Sequence, residues 1–241
     1  LDTGMHRLGF QKEELGDLLQ ILQHLPPPVN IASVFSHLAG ADDSLHQAYS
    51  LAQIKAFEEM SGAIREELGY SFLKHILNSA GIVRYPEAQM DMVRLGVGLY
   101  GVEASQLYPD RLRPVSKLKT YISQIKSIKK GQTIGYGRRG VAPADTRIAT
   151  IAIGYADGFS RRLSNGKGEV LVNGKRVPVL GNVCMDMTMI DLMDVEAQEG
   201  DEVIIFGEEL SLDHLAQKLG TIPYEILTSI GERVKRVYYR E

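Results

Sequence analysis

The sequence predicts an α/β unit followed by an all-β-textured unit, and three observations carry that expectation. Up to about residue 110, apolar residues at helical spacing alternate with short apolar runs, the pattern of parallel β/α units. Beyond Pro114 the texture becomes short β-rich stretches broken by glycines. The change falls at one place, Leu112 to Pro114, so the expected domains are 1–113 and 114–241, two modest cores within a 241-residue chain.

In the first unit, Leu15, Leu18, Leu19 and Leu22 recur at helical spacing between Lys12 and His24, and Pro26-Pro27-Pro28 stops that helix. Ile31 to Leu38 reads as a buried strand. Asp42-Asp43-Ser44 is a capping cluster, after which Leu51, Ile54, Phe57, Met60, Ile64 and Leu68 step along one face of a long amphipathic helix. Two more apolar segments follow, His75-Ile76-Leu77 and Val93-Arg94-Leu95-Gly96-Val97, read as further strands.

In the second unit the expected strands are Tyr121 to Ile128, Ile148 to Ile153, Val170 to Val172, Val177 to Leu180, Met189 to Leu192 and Val203 to Phe206. Asn173-Gly174 between two of them signals a tight hairpin, because both residues tolerate positive φ. Two helical patterns close the chain, Leu212-Leu215-Leu219 and Ile226-Leu227-Ile230-Val234.

A net charge of −3 without a basic patch argues against nucleic acid as a partner. No apolar run is long enough to span a bilayer and no secretory leader is evident, so no membrane association is expected. The single cysteine, Cys184, excludes an internal disulfide and fits a cytoplasmic setting. The opening Leu1-Asp2-Thr3-Gly4 reads as a cut, whereas Val234 to Glu241 reads as a natural C-terminus.

Polar groups just after barrel strands are the first candidates for chemistry. His37 follows the Ile31 run, Asn78-Ser79-Ala80-Gly81 follows His75-Ile76-Leu77, and Arg94 precedes Gly96 and Gly98. Bare glycines and a hydroxyl suit a phosphate, although each cluster alone serves equally as a turn or cap. His6, His37 and His75 match no zinc spacing and read better as histidines hydrogen-bonded at strand ends. Tyr136, flanked by Gly135 and Gly137 and followed by Arg138 and Arg139, and Tyr155 in Gly154-Tyr155-Ala156-Asp157-Gly158, are either exposed phenols capable of base chemistry or amphipathic tyrosines in turns. From spacing alone the second reading is the stronger. Residue chemistry thus yields an anion site and a tyrosine, and no reaction.

The motifs, taken in order, resemble those of alanine racemase. Asp2-Thr3-Gly4-Met5-His6-Arg7-Leu8-Gly9, Phe35-Ser36-His37-Leu38-Ala39, Asn78-Ser79-Ala80 and Arg94 to Gly101 resemble barrel motifs of that family. Ile134 to Gly137, Ile153 to Gly158, Gly181 to Met187 and Tyr224 to Leu227 resemble motifs of its β domain. The resemblance implies the C-terminal half of a (β/α)8 barrel followed by a mainly β domain, and pyridoxal 5'-phosphate as cofactor. It implies that Ser79, the backbone of Gly96 and Val97, and Tyr224 hold the phosphate, with Arg94 at the pyridine nitrogen, His75 behind it and His37 near the ring. An arginine there disfavours protonation of that nitrogen, restraining side reactions of a carbanion. Tyr136 is implied as one of two bases interconverting L- and D-alanine, the D form serving peptidoglycan. Arg7 and the Met185 N–H are implied at the substrate carboxylate, Asp186 as a brace for that loop, and Tyr155 at the entrance. A homodimer is implied, with Tyr136 reaching into the partner's barrel.

One departure stands out. The family's Schiff-base lysine motif, in its first barrel strand, has no counterpart here; Lys74 is out of place, and the companion lysine of Arg7 would precede Leu1. Rival readings are a non-catalytic dimerisation module of a degenerate relative, or another pyridoxal-phosphate barrel racemase or decarboxylase. The expectation is that these 241 residues alone do not racemise alanine, which an assay of the purified chain checks: measurable turnover refutes it.

Overall fold

The computed structural model describes residues 1–239; Arg240 and Glu241, at the end of the expected C-terminal segment, lie outside the described residues. The chain divides into two compact units, Leu1–Leu112 and the remainder from Arg113.

In the first unit, a short 3-10 turn leads into α1 (Leu15–Gln23), which buries Leu18. Strand β1 (Ser33–Phe35) follows, and α2 (Gln47–Leu68) is preceded by a turn at whose start Asp43 accepts the Leu45 N–H at 2.9 Å. Gly69 stops α2 in the left-handed region, φ +67°, where a side chain would be strained. Strand β2 (Leu73–His75) pairs with β1 in parallel, Ser33 opposite Leu73 and Phe35 opposite His75. Asn78 then caps α3 (Ser79–Arg84), accepting the Gly81 N–H at 2.9 Å. Phe57, Leu38, Ile76 and Leu77 form the core beneath the parallel pair, and burying each stabilises by about 2 kcal/mol.

Three expectations for this unit need correction. The Ile31 to Leu38 run contributes a strand only over Ser33–Phe35, leaving His37 two residues beyond it. The Val93 to Val97 segment is no strand. Its N–H donors form no ladder, Arg94 reaching Leu77 O beyond β2 and Gly96 the Ser79 hydroxyl, and Gly96 at φ −109°, ψ −103° departs from extended geometry before a 3-10 turn at Val97–Tyr100. On α2 the buried face is rotated from the apolar stripe: Leu51 is exposed while Ser50 and Gln53 are buried, because Gln53 is spent on hydrogen bonds to the loop after β1.

The second unit is mainly β: β3 (Leu118–Ile128), β4 (Thr133–Ile134), β5 (Gly140–Val141), β6 (Thr146–Ile151), β7 (Glu169–Val172), β8 (Lys175–Pro178), β9 (Thr188–Asp191) and β10 (Glu202–Phe206). Two helices follow, α4 (Leu212–Leu219) and α5 (Pro223–Ser229). Six strands form one antiparallel sheet in the order β8-β7-β10-β3-β6-β9. Its two edges meet where Val179 bridges to Ile190 and the Leu180 N–H donates to Met189 O at 2.8 Å, so the sheet nearly closes and few ladder groups are left unpaired. Val170, Val177, Ile151, Ile190, Val203 and Ile205 fill its interior. The last helical pattern stops at Ser229 rather than Val234, because Ile230 turns extended ahead of Gly231.

The β4–β5 hairpin was not expected. It rests on its own small core, Ile134, Ala142 and Ile148 with Ile128, Leu180 and Met189 against them. Two-residue strands carry too little periodicity to be read. Among the described residues no helix is long and apolar enough to cross a membrane, and no three His, Cys, Asp or Glu side chains gather as a metal site.

Asn173 and Gly174 both turn left-handed, φ 47° and 76°, as a two-residue hairpin demands. Nothing lies within 4 Å of a Cβ added at Gly174, so Gly174→Val meets backbone strain without a clash. It is expected to lower stability by about 1–2 kcal/mol, read as a lower urea midpoint at unchanged m-value.

Candidate active site

In the first unit the backbone geometry just described brings two groups of residues together. The first surrounds Arg94, whose half-buried guanidinium donates from Nη2 to Ser36 O at 2.6 Å and to Ile76 O at 3.2 Å. From Nη1 it donates to His75 O at 3.2 Å and to His75 Nδ1 at 2.5 Å, and Nη2 also reaches His37 Nδ1 at 3.2 Å. Both histidines are therefore acceptors at Nδ1. Burial, and then the Arg94 charge, push both below the usual histidine range, with Arg7 adding to the effect at His37, so both stay neutral near pH 7. Phe35 stacks on the His75 ring at 5.2 Å, and the Arg94 guanidinium carbon lies 5.2 Å from the Phe35 centroid. Burial and the nearby positive charge of Arg7 depress the pKa of Arg94 itself.

The second group is a small anion seat. Ser79, buried at the start of α3, accepts the Gly96 N–H at 2.9 Å and the Gly98 N–H at 3.4 Å on its hydroxyl oxygen. Among the described residues the Val97 N–H has no partner. A hydroxyl and successive backbone N–H groups, with glycines at two of three positions, are the donor set that a phosphate takes. Behind both groups stands Gln53, which accepts the Ala39 N–H at 2.9 Å and donates to His37 O at 3.0 Å. Arg7 lies exposed beyond an Asp2 carboxylate that accepts the N–H groups of Gly4 and His6. Burial works against ionisation of Asp2, but these two N–H donors and the neighbouring His6 outweigh it and lower its pKa.

In the second unit, Tyr136 begins a 3-10 turn held between β4 and β5, with Gly135 and Gly137 on either side at φ 72° and 67°. Its carbonyl accepts from Asn182 Nδ2 at 2.9 Å and the residue is 73% exposed, so the phenol is uncovered. The neighbouring Arg138 is engaged elsewhere, its Nε donating to Thr133 Oγ1 at 3.1 Å.

Tyr155 and Met185 are brought together by backbone. The Tyr155 N–H donates to Cys184 O and the Ala156 N–H to Met185 O, both at 3.0 Å, and a Cβ on Gly154 would overlap both carbonyls. Asp157 accepts the Gly154 N–H at 2.9 Å, and Arg233 joins Asp157 at 2.7 Å to Asp186 at 2.5 Å. Burial opposes ionisation of Asp157, yet the Arg233 and Gly154 bonds lower its pKa, while Asp157 and then Asp186 raise that of Arg233. Tyr224 lies in the first turn of α5 with its side chain exposed. Sequence reasoning missed Phe35, Gln53 and Arg233. Gln53 interrupts an apolar helix face, which is a signal, whereas nothing in the sequence marks Arg233.

Comparison with known proteins gives this arrangement a lineage. The family profile "Alanine racemase, N-terminal domain" matches residues 1–104 and "Alanine racemase, C-terminal domain" matches residues 115–238. The chain is 43% identical to an alanine racemase of Thermodesulfovibrio yellowstonii and 40% identical to one of Desulfovibrio desulfuricans, covering 100% and 99% of this chain. It spans 64% of the length of each of these curated relatives. Among solved structures, the alanine racemase of Streptomyces lavendulae matches all of this chain and 65% of its own, with TM-score 0.92 and 34% identity. That of Bartonella henselae, described with covalently bound pyridoxal phosphate, matches 99% of this chain and 65% of its own, with TM-score 0.87 and 34% identity. With both halves of the chain matched and the motifs in order along it, the chain belongs to the alanine racemase family.

Proposed function

We propose that the full-length protein interconverts L- and D-alanine with pyridoxal phosphate, and that this chain supplies the phosphate seat, the ring-nitrogen partner and one of the two bases. The observation that carries the reading is the Ser79 hydroxyl gathering the Gly96 and Gly98 N–H groups in the same unit as a guanidinium already saturated by neutral acceptors. The donor set fits a phosphate: Ser79 and the N–H groups of Gly96 and Val97 would hold it. Bound there, pyridoxal phosphate supplies an electron sink that acidifies the substrate Cα–H.

Arg94 would face the ring nitrogen. Its positive charge opposes a second one on that nitrogen, and its hydrogen bonds to His75, Ser36 and Ile76 keep it from turning away. A weaker sink suits a reaction that must return the proton to the same carbon. Tyr136 would take or return the α-proton at its hydroxyl oxygen, the glycines on either side leaving its ring uncovered. The Met185 N–H, without a partner among the described residues, would bind the substrate carboxylate, Arg7 is a second group proposed for that carboxylate, and Tyr155 would narrow the approach. Exposed Tyr136, Tyr155, Met185 and Met187 support a homodimer with sites shared between subunits, and the single cysteine suits the cytoplasm.

The test is the purified full-length protein, its yellow borohydride-reducible absorbance, and conversion of L- to D-alanine. Tyr136→Phe is expected to keep the colour and lower turnover by roughly a hundred- to ten-thousandfold. Colour without alanine turnover would point to another amino acid or reaction, and no colour would refute the cofactor. Ser79→Ala is expected to weaken pyridoxal phosphate binding about ten- to a hundredfold, measured by fluorescence titration, because it removes one hydrogen bond to a charged group. Unchanged affinity would place the phosphate elsewhere.

A further inference from the structure

We propose that Arg233 is a positioning residue for substrate-carboxylate binding: its one guanidinium sets the aim of the Met185 N–H by tying together the two loops that hold it. The proposal rests on the alanine racemase reading above and adds to it a residue from the C-terminal segment, far along the chain from either loop.

One peptide plane links Arg233 to the carboxylate contact. The Met185 N–H belongs to the peptide whose carbonyl is Cys184 O, and in a trans peptide the two point in opposite directions. Whatever fixes Cys184 O therefore aims Met185 N–H. Cys184 O is fixed by the Tyr155 N–H at 3.0 Å, and the next carbonyl, Met185 O, by the Ala156 N–H at 3.0 Å. The Tyr155 loop is in turn held by Asp157, whose Oδ2 accepts the Gly154 N–H at 2.9 Å. Arg233 closes the circuit, donating from Nε to Asp157 Oδ1 at 2.7 Å and from Nη2 to Asp186 Oδ1 at 2.5 Å, the residue after Met185.

Arg233 is itself placed by backbone bonds. The Gly231 N–H donates to Asp157 O, and Arg236 donates to the carbonyls of Ile230, Gly231 and Val234, pinning the turn that presents Arg233. The Cys184 N–H closes the Met185 turn by donating to Met187 O at 3.0 Å, and the N–H groups of Met185, Asp186 and Met187 have no partner among the described residues. Open donors on a turn whose carbonyls are fixed are what a ligand oxygen needs, and the Met185 N–H is the one whose direction Cys184 O sets. Without Arg233, two carboxylates on adjoining loops lose their shared cation and repel, and the Met185 peptide loses its aim.

A carboxylate contact is made in the ground state and the transition state alike, so its loss raises KM and leaves kcat nearly unchanged. In the full-length protein, Arg233→Gln is expected to raise KM for alanine about tenfold, with kcat within about threefold of wild type. The inhibition constant of acetate, a carboxylate with no amine to react, is expected to rise by a similar factor. Adding Asp186→Asn to Arg233→Gln should recover part of the loss by removing the repulsion, and Arg233→Lys, which keeps the charge without the two-pronged geometry, should lie between. KM and acetate inhibition both within twofold of wild type would overturn the proposal. So would a parallel fall of kcat, cofactor affinity and thermal midpoint, which marks a residue needed only for stability, and Arg233→Lys provides the same readouts if Arg233→Gln does not fold. Absence of alanine turnover in the wild type would overturn the underlying reading instead.

Discussion

A guanidinium half withdrawn from water must find acceptors for its donors, and in the first unit the demand of Arg94 organises everything around it. Three of its acceptors are the carbonyls of Ser36, His75 and Ile76, which stand at and just past the C-terminal ends of two neighbouring parallel strands. Those strands are only three residues long, so their register owes as much to this shared cation as to their ladder. The other two acceptors are histidine nitrogens, and accepting from Arg94 is incompatible with their protonation. Gln53 stabilises the same loop from below. A polar residue on the buried face of α2 is the cost of holding the backbone through which Arg94 is satisfied.

The second unit solves a different problem. A six-stranded sheet whose edges nearly meet is stiff, and it carries its functional groups on the turns between strands rather than on the strands. Close backbone approaches without side chains between them replace a core in these turns. Gly154 lies against the carbonyls of Cys184 and Met185, and Gly140 against Gly181. Charge then finishes what packing cannot, since Arg233 spans loops too polar to bury much apolar surface.

Much of this was legible in the sequence because periodicity and punctuation are local. The six long strands of the second unit, the Asn173-Gly174 turn and helix α2 follow from patterns within a dozen residues. What failed to show depends on partners distant in sequence. The Val93 to Val97 run has strand composition, but its donors are met irregularly beside β2, and Gly96 turns it away. The histidines were read as hydrogen-bonded, yet their partner, a half-buried arginine, could be named only through the family resemblance. Arg233 is one of three arginines in a charged tail, and only three-dimensional proximity to Asp157 and Asp186 distinguishes it.

The hairpin that presents Tyr136 has a thermodynamic identity of its own. Two strands of two residues each are not stable alone, and they lean on a small cluster, Ile134 and Ala142 against Ile148 of β6, that ties them to one patch of the large sheet. Its opening free energy is therefore set by a handful of apolar contacts rather than by the unit as a whole, placing it among the segments that fluctuate open while the rest stays folded. Substitutions at Ile134 or Ala142, which lie on the hairpin rather than in the large sheet, would displace Tyr136 in a fraction of molecules without melting that sheet. On warming, the Tyr136 hairpin would then open before the sheet melts, so a local probe at Tyr136 would respond at a lower temperature than the secondary structure does.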